Sequence, residues 1–194
     1  MPSGPGVISE DLIAEIAASI PANIASFLLT PQQTASAIIE QHHRCKTTAI
    51  QLVDTVSQDE LRTLRHALPT VKLVQVIHVI DAASIAAAQA VAPFVDALLL
   101  DSGQPNAAVK TLGGTGRTHD WVLSREICAS LQIPVFLAGG ISAHNVAQAV
   151  AAVSPFGIDL CSHVRTDDVL DEEKLRTFFA AVRQVPFYAS GRHF

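Results

Sequence analysis

Aromatic residues are scarce in this chain, at 5% of 194, and charged residues make up only 16%, against roughly 25% in an average domain. With 49% hydrophobic residues and a mean hydropathy of +0.33, the composition is the reverse of intrinsic disorder, which combines low hydrophobicity with high net charge. Long apolar runs are missing too. Stretches such as 97–100 and 135–138 fall far short of the ~20 residues that span a bilayer, so no membrane association is expected. There is no basic excess: 13 Lys and Arg face 18 Asp and Glu, a net charge of −5 with a pI near 5.8. Nucleic-acid binding rests on neutralising phosphates with a basic surface, and none is offered. Cysteines number three, Cys45, Cys128 and Cys161, with no Cys-x-x-Cys pair; this odd, scattered set fits a reducing compartment better than a disulfide framework. Residues 1–7 show neither the positive region nor the apolar stretch of a signal peptide, so a cytoplasmic location is expected.

What is present is aliphatic and regularly spaced. Ser9 caps a helix whose apolar stripe is Leu12, Ile13, Ile16 and Ala17. A short strand follows at 24–29, and Thr30-Pro31 is read as the start of a second helix. Strands are then expected at 48–52, 71–79, 96–100 (ending in Asp101), 134–138 and 157–161, separated by helices at 57–68, 81–92, 120–131 and 142–153 and followed by one at 171–182. Ser57 and Glu60 have the spacing of a capping box. Hairpin dipeptides are absent, so the alternation implies parallel strands with right-handed crossovers. An open doubly wound sheet and a β/α barrel both satisfy this, but a dinucleotide fold carries its glycines after the first strand. Here they follow late strands, where a barrel builds its phosphate site. The expected fold is therefore α/β, a (βα)8 TIM barrel shortened at its front to about six units. Residues 1–184 form a single partial barrel domain and 185–194 an irregular tail. The open side would carry bare strand edges, and a homodimer through it is one way to cover them.

Four constellations carry chemistry. Gly113, Gly114, Thr115 and Gly116, with Arg117 behind them, let backbone N–H groups converge on an oxyanion; the bland alternative is a flexible surface loop. Gly139 and Gly140 end a strand ahead of Ser142, placing a helix start where it meets an anion, unless they only serve a tight turn. Asp159, Ser162, His163 and Arg165 lie at and after the last strand, as phosphate contacts or as a solvated rim. In the same stretch Cys161 is read as a small buried hydrophobe. Asp101 stands at the carboxyl end of an apolar strand, the catalytic mouth of a barrel, or else caps a turn. Gln51 and Gln75 lie within strands and either line a pocket or fill an interior layer. His66, His78, His119 and His144 are scattered and expected to be solvated or singly hydrogen-bonded. His42 and His43 have no ligand spacing to an acid, so no metal and no cofactor are expected.

Leu98-Leu99-Leu100-Asp101, the run Gly113-Gly114-Thr115-Gly116-Arg117-Thr118-His119-Asp120-Trp121, Leu137-Ala138-Gly139-Gly140-Ile141-Ser142 with Asn145-Val146, and the stretch from Asp159 to Val164 together resemble phosphoribosylanthranilate isomerase of tryptophan biosynthesis. The resemblance implies a (βα)8 barrel. It also implies an Amadori rearrangement of a phosphorylated aldose, with a cysteine as general base and an aspartate as general acid. Asp101 matches the acid, and the loops at Gly113–Gly116, Gly139–Gly140 and Ser162 match a phosphate cradle. The partner implied is a phosphorylated sugar or inorganic phosphate. Some positions depart from the family. The Lys-Ile-Cys-Gly segment that carries the base is not found in the 194 residues. Gly or Pro stands in 3–9, where a basic residue usually meets the anthranilate carboxylate. Gln51-Leu52-Val53-Asp54 replaces Gln-Leu-His-Gly, and Cys161-Ser162-His163-Val164-Arg165 replaces Ser-Ser-Gly-Val-Glu. These departures lead to the expectation that the 194 residues by themselves are impaired as an isomerase. The alternatives are a non-catalytic phosphosugar-binding protein and a barrel acting on another phosphorylated aldose.

Overall fold

Strands without polar alternation need cover on both faces, and helices between them supply it. The computed structural model, which describes residues 7–103 and 119–185, follows this rule in two compact units. One runs to Val76 and includes Pro93–Asp96; the other takes Ile77–Ala92 and the chain from Ala97 onward.

The first unit holds α1 (Glu10–Ser19), β1 (Phe27–Thr30), α2 (Ala35–Cys45), β2 (Ala49–Leu52), α3 (Gln58–Ala67) and β3 (Lys72–His78) up to Val76. Its strands are parallel and adjacent in chain order, with Leu29 opposite Gln51 and Leu52 opposite Gln75. All of β2 is buried. In β1, by contrast, Leu28 and Thr30 are buried while Leu29 is 46% exposed. Ser57 caps α3 as expected, its hydroxyl accepting from the Glu60 amide. Glu60 does not complete the expected box. Its carboxylate accepts from the Ala35 amide and so caps the next helix along, α2. Asp96 collects the guanidinium of Arg65, the ammonium of Lys72 and the amide of Leu73. Burial opposes its charge, but these donors outweigh it and hold its carboxyl below the usual range.

The second unit holds α4 (Ala83–Val91), β4 (Ala97–Asp101), α5 (Trp121–Ser130), β5 (Val135–Leu137), α6 (Val146–Val153), β6 (Gly157–Ile158) and α7 (Glu172–Val182). β4, β5 and β6 are parallel, with Leu100 opposite Leu137 and Leu137 opposite Ile158. Asp120 and Asp171 cap α5 and α7 through their carboxylates. Two helices end on non-glycine residues in left-handed backbone: Lys46 after α2 (φ 54°) and Ser154 after α6 (φ 55°).

Several expectations are corrected. β1 begins three residues later than read, and Ile24 is 53% exposed. Thr30 ends that strand instead of capping a helix; its hydroxyl accepts from the Gln32 amide, and α2 starts at Ala35. Ser142 does not open α6. Residues 142–145 form a turn in which the Asn145 side chain accepts from the Ser142 amide. β6 stops at Ile158, and Cys161 is exposed. A hairpin missed in the sequence, β7 (Arg165–Thr166) and β8 (Val169–Leu170), turns on Asp167 and Asp168, both with positive φ. The stripe of α1 is not core: Leu12 and Ile16 are each more than 40% exposed. No described helix is long and apolar enough to cross a membrane.

Candidate active site

The carboxyl ends of the second unit's strands gather its polar groups. Residues 97–100 of β4 are buried, and the strand carries Asp101 with them, to 7% exposure. Its carboxylate Oδ1 accepts from the Ser102 amide at 2.7 Å. Burial is the main influence and raises the Asp101 carboxyl above its ordinary value, against the Ser102 hydrogen bonds and the charge of His78. The end of β3 reaches this point: the Val79 amide donates to the Asp101 carbonyl at 2.9 Å. Asp159 follows β6, held by its amide on the Leu137 carbonyl at 2.9 Å. Asp159 is exposed at its surface, although protein surrounds the carboxyl closely enough to disfavour its charge. This burial, with the negative charge of Asp101 second, raises it to about 6.

Between these strand ends lies the turn after β5. Gly139 (φ 79°) and Gly140 (φ 66°) both adopt left-handed backbone. The Asn145 amide donates to the Gly140 carbonyl at 2.9 Å while its oxygen takes the Ser142 amide at 2.8 Å. Ser102 and His119 close on the turn from the other side. A Cβ on Gly139 would lie 3.0 Å from the Ser102 nitrogen and hydroxyl and 3.1 Å from His119 Nδ1. His119 Nε2 pairs with the Ser124 hydroxyl at 2.7 Å, and burial lowers this imidazole to about 4, so it is neutral at pH 7. His119 was expected to be solvated or singly hydrogen-bonded, and among the described residues it pairs with Ser124. Its place against Gly139 was not foreseen.

The other proposed site residues divide by place. Ser162 and His163 form an exposed 3-10 turn after β6, with the Ser162 hydroxyl 3.5 Å from His163 Nδ1. Gln51 is buried in β2, and Gln75 in β3 donates to the carbonyls of Leu52, Asp54 and Val76; both belong to the first unit. Gly113, Gly114, Thr115 and Gly116 lie outside the described residues. Among the described residues no group of three or more His, Cys, Asp and Glu is placed to hold a metal ion.

The Asp159 carboxyl makes a pH-dependent contribution. Its native pKa of about 6 lies above the unfolded value, so the native state binds its proton more tightly. Stability is therefore lost as pH rises from about 4 through 6. Asp159→Asn is expected to leave the thermal midpoint unchanged below pH 4 and to raise it above pH 6. Melts recorded across that range check the sign.

The family model described as N-(5'phosphoribosyl)anthranilate (PRA) isomerase matches residues 16–181. The chain belongs to this isomerase family. The N-(5'-phosphoribosyl)anthranilate isomerase of Methanocella arvoryzae is 34% identical over 180 residues, which is 92% of this chain and 82% of the relative. Among solved structures, phosphoribosyl anthranilate isomerase from Thermotoga maritima superposes with a TM-score of 0.79 at 19% identity, over 95% of this chain and 85% of that one. Another was solved in complex with reduced 1-(o-carboxyphenylamino)-1-deoxyribulose 5-phosphate, with a TM-score of 0.75 at 17% identity and coverage of 95% and 84%. The fold class expected from the sequence, α/β of the TIM-barrel type with about six units, agrees with these likenesses. Ser102, whose amide meets the Asp101 carboxylate, and His78, at the end of β3, were not read as site residues from the sequence. One signal was available: each directly adjoins or ends an apolar strand on the same side as Asp101.

Proposed function

We propose that this chain is an N-(5'-phosphoribosyl)anthranilate isomerase acting in tryptophan biosynthesis. The observation that carries the reading is Asp101, a carboxyl buried at the end of β4 and held above its ordinary pKa, in a chain that matches the family over residues 16–181. The rearrangement begins with protonation of the furanose ring oxygen. A carboxyl that burial makes hold its proton more tightly than usual is suited to this. The C1–O bond opens, the anilino nitrogen shares the resulting positive charge, and loss of the C2 proton gives an enolamine that becomes the ketone.

The remaining residues fit roles around that step. Gly139 and Gly140 carry no Cβ of their own, which suits a close approach of a phosphate to their backbone. Ser162 and His163 add a hydroxyl and an imidazole on the neighbouring strand end. In this reading Asp159 accepts a hydrogen bond from a sugar hydroxyl. The base that takes the C2 proton is not assigned among these residues, since the family's Lys-Ile-Cys-Gly segment is not in the 194-residue sequence. The expectation of an impaired chain and the non-catalytic alternative are not borne out by the comparisons.

Growth of a tryptophan auxotroph that lacks its own isomerase tests the reading. Rescue is expected from the chain or from the chain carried on a longer N-terminus. Failure of both, with ribose 5-phosphate still bound at millimolar concentration, would overturn the isomerase and leave the phosphosugar-binding alternative.

A further inference from the structure

Arg62, Arg65 and His66 share one flank of α3, at helical spacings that make Arg62 a neighbour of both other side chains. Leu61 and Leu64 take the buried face, so this flank is left to border a cavity of about 670 Å³ that lies wholly within the first unit. Much of the remaining lining is apolar and stiff: Pro69 from the turn after α3, with Pro93 and Phe94 from a 3-10 turn at Ala92–Phe94. The cavity sits at the amino end of β3, beside Asp96 and its partners Lys72 and Leu73. The groups described for the reaction stand at carboxyl ends of strands.

The charges around this cavity are unequally engaged. Asp96 is satisfied: one carboxylate oxygen accepts from Arg65 at 2.5 Å and from the Leu73 amide at 2.8 Å, the other from Lys72 at 3.3 Å. Arg65 is fixed by that bond and reaches the Val71 carbonyl at 3.4 Å as well. Arg62 is held more loosely. Its ion-pair partner among the described residues is Asp59, three residues back on α3, with a side chain 94% exposed; an exposed pair of this kind contributes little. The Arg62 guanidinium lies over the Phe94 ring, 4.7 Å from the centroid, a contact that places it without consuming its in-plane N–H donors. His66 makes no hydrogen bond among the described residues. Arg62, Arg65 and Lys72 face only Asp59 and Asp96 here, a local positive balance in a chain whose net charge is −5.

We propose that this cavity is a binding site for a small aromatic carboxylate, separate from the site of the isomerase chemistry. The ligand's carboxylate takes the Arg62 guanidinium from Asp59, in the two-pronged pairing that a planar guanidinium favours. His66, one turn along α3, offers a ring N–H to the same group. The aromatic body lies against the flat, rigid surfaces of Pro69 and Pro93 beside Phe94. Each half of the ligand is needed. A bare inorganic anion would leave the apolar lining in water, and a neutral aromatic would leave the Arg62 donors to Asp59. The volume agrees, since pockets for small organic molecules span roughly 300–1,000 Å³, far more than one inorganic ion fills.

Titration of the full chain with naphthoate, a fluorescent aromatic carboxylate, tests the site. Saturable binding of one molecule per chain is expected, with the ring proton signals of His66, assigned through His66→Gln, shifting as it binds. Arg62→Gln, at an exposed position that leaves the Arg65–Asp96 pair intact, is expected to weaken binding by about tenfold or more, the scale of one charge-assisted hydrogen-bonded pair. Phe94→Leu is expected to weaken it several-fold. Arg176→Gln, which removes an exposed guanidinium of α7 paired with Glu172, should leave it unchanged. Naphthalenemethanol, acetate and inorganic phosphate, each lacking one half of the ligand, are expected to bind at least tenfold more weakly than naphthoate. Absence of saturation by about 10 mM, equal affinity in Arg62→Gln, or phosphate binding as tightly as naphthoate overturns the proposal. Displacement of naphthoate by ribose 5-phosphate, or its loss in Gly139→Ala, would place the probe at the reaction site and also overturn it. None of these outcomes depends on turnover, so the isomerase reading stands or falls by its own assay.

Discussion

Asp101→Asn is expected to lower kcat/KM by about 10²–10⁴-fold, the contribution of one general acid, while the protein stays folded. Asparagine has nearly the same shape, and its oxygen can still accept the Ser102 amide that now meets Oδ1 at 2.7 Å. What it lacks is a proton to give. Stability moves the other way. Burial raises the Asp101 carboxyl, so its charged form is disfavoured in the native state and weighs on stability increasingly as pH rises past the unfolded value. The neutral amide removes that weight at alkaline pH, so Asp101→Asn should melt at or above the wild-type temperature there. Turnover assays beside melts at pH 8 separate the two effects. A variant that keeps wild-type turnover would remove Asp101 from the chemistry, and one that unfolds would leave its loss of activity to structure.

Gly139→Ala is expected to lower stability by about 1–3 kcal/mol, the scale of a non-glycine residue forced into sparsely populated backbone. It is also expected to weaken phosphate binding by about tenfold, which corresponds to about 1.4 kcal/mol. The backbone there has φ 79°, and the new methyl would press on the Ser102 nitrogen, its hydroxyl and His119 Nδ1 at 3.0–3.1 Å. The Ser102 nitrogen is the donor that anchors Asp101, so a shift at the turn reaches the acid. Gly157→Ala makes an informative comparison. Its methyl would meet the Phe136 ring at 2.8 Å, where that ring packs edge-on against Phe156 at 5.4 Å between centroids. It should cost stability without touching the turn. Urea denaturation and phosphate titration of both variants check the pair. Equal loss of affinity in both would show that the turn has no special part in binding.

The position of Asp101 was legible because an apolar run ending in a carboxylate reads as a buried parallel strand that carries its last residue to the carboxyl end, and all five residues of β4 are buried. Gly139 and Gly140 were legible for the conformations that only glycine adopts at little cost. The helix starts were less so. Thr30-Pro31 has the form of a helix entry, yet Thr30 pairs with Leu52 across the ladder, and ladder bonds outweigh a local cap. Asn145, not Ser142, governs the entry to α6 because its amide can brace two backbone groups of the turn at once. Glu60 sat at capping-box spacing but found the α2 amide across the unit instead, a tertiary choice invisible in local pattern. The hairpin at 165–170 escaped because its turn uses Asp167 and Asp168 where glycine or asparagine usually signals such a turn.

Those unusual turn residues have company in Lys46 and Ser154, which close α2 and α6 in left-handed backbone with their amides bonded to His42 and Val150. Glycine adopts that conformation without the steric penalty of a Cβ. The two positions share no partner, so gains from Lys46→Gly and Ser154→Gly should add, at about 0.5–1 kcal/mol each. For a chain of this size each such step corresponds to a rise of about 1–4 °C in the melting midpoint. These helix ends therefore hold an evolutionary reserve. A lineage or a laboratory selection could draw on it far from the chemistry and, with the added margin, tolerate riskier changes at the strand ends, where new substrate preferences would have to arise.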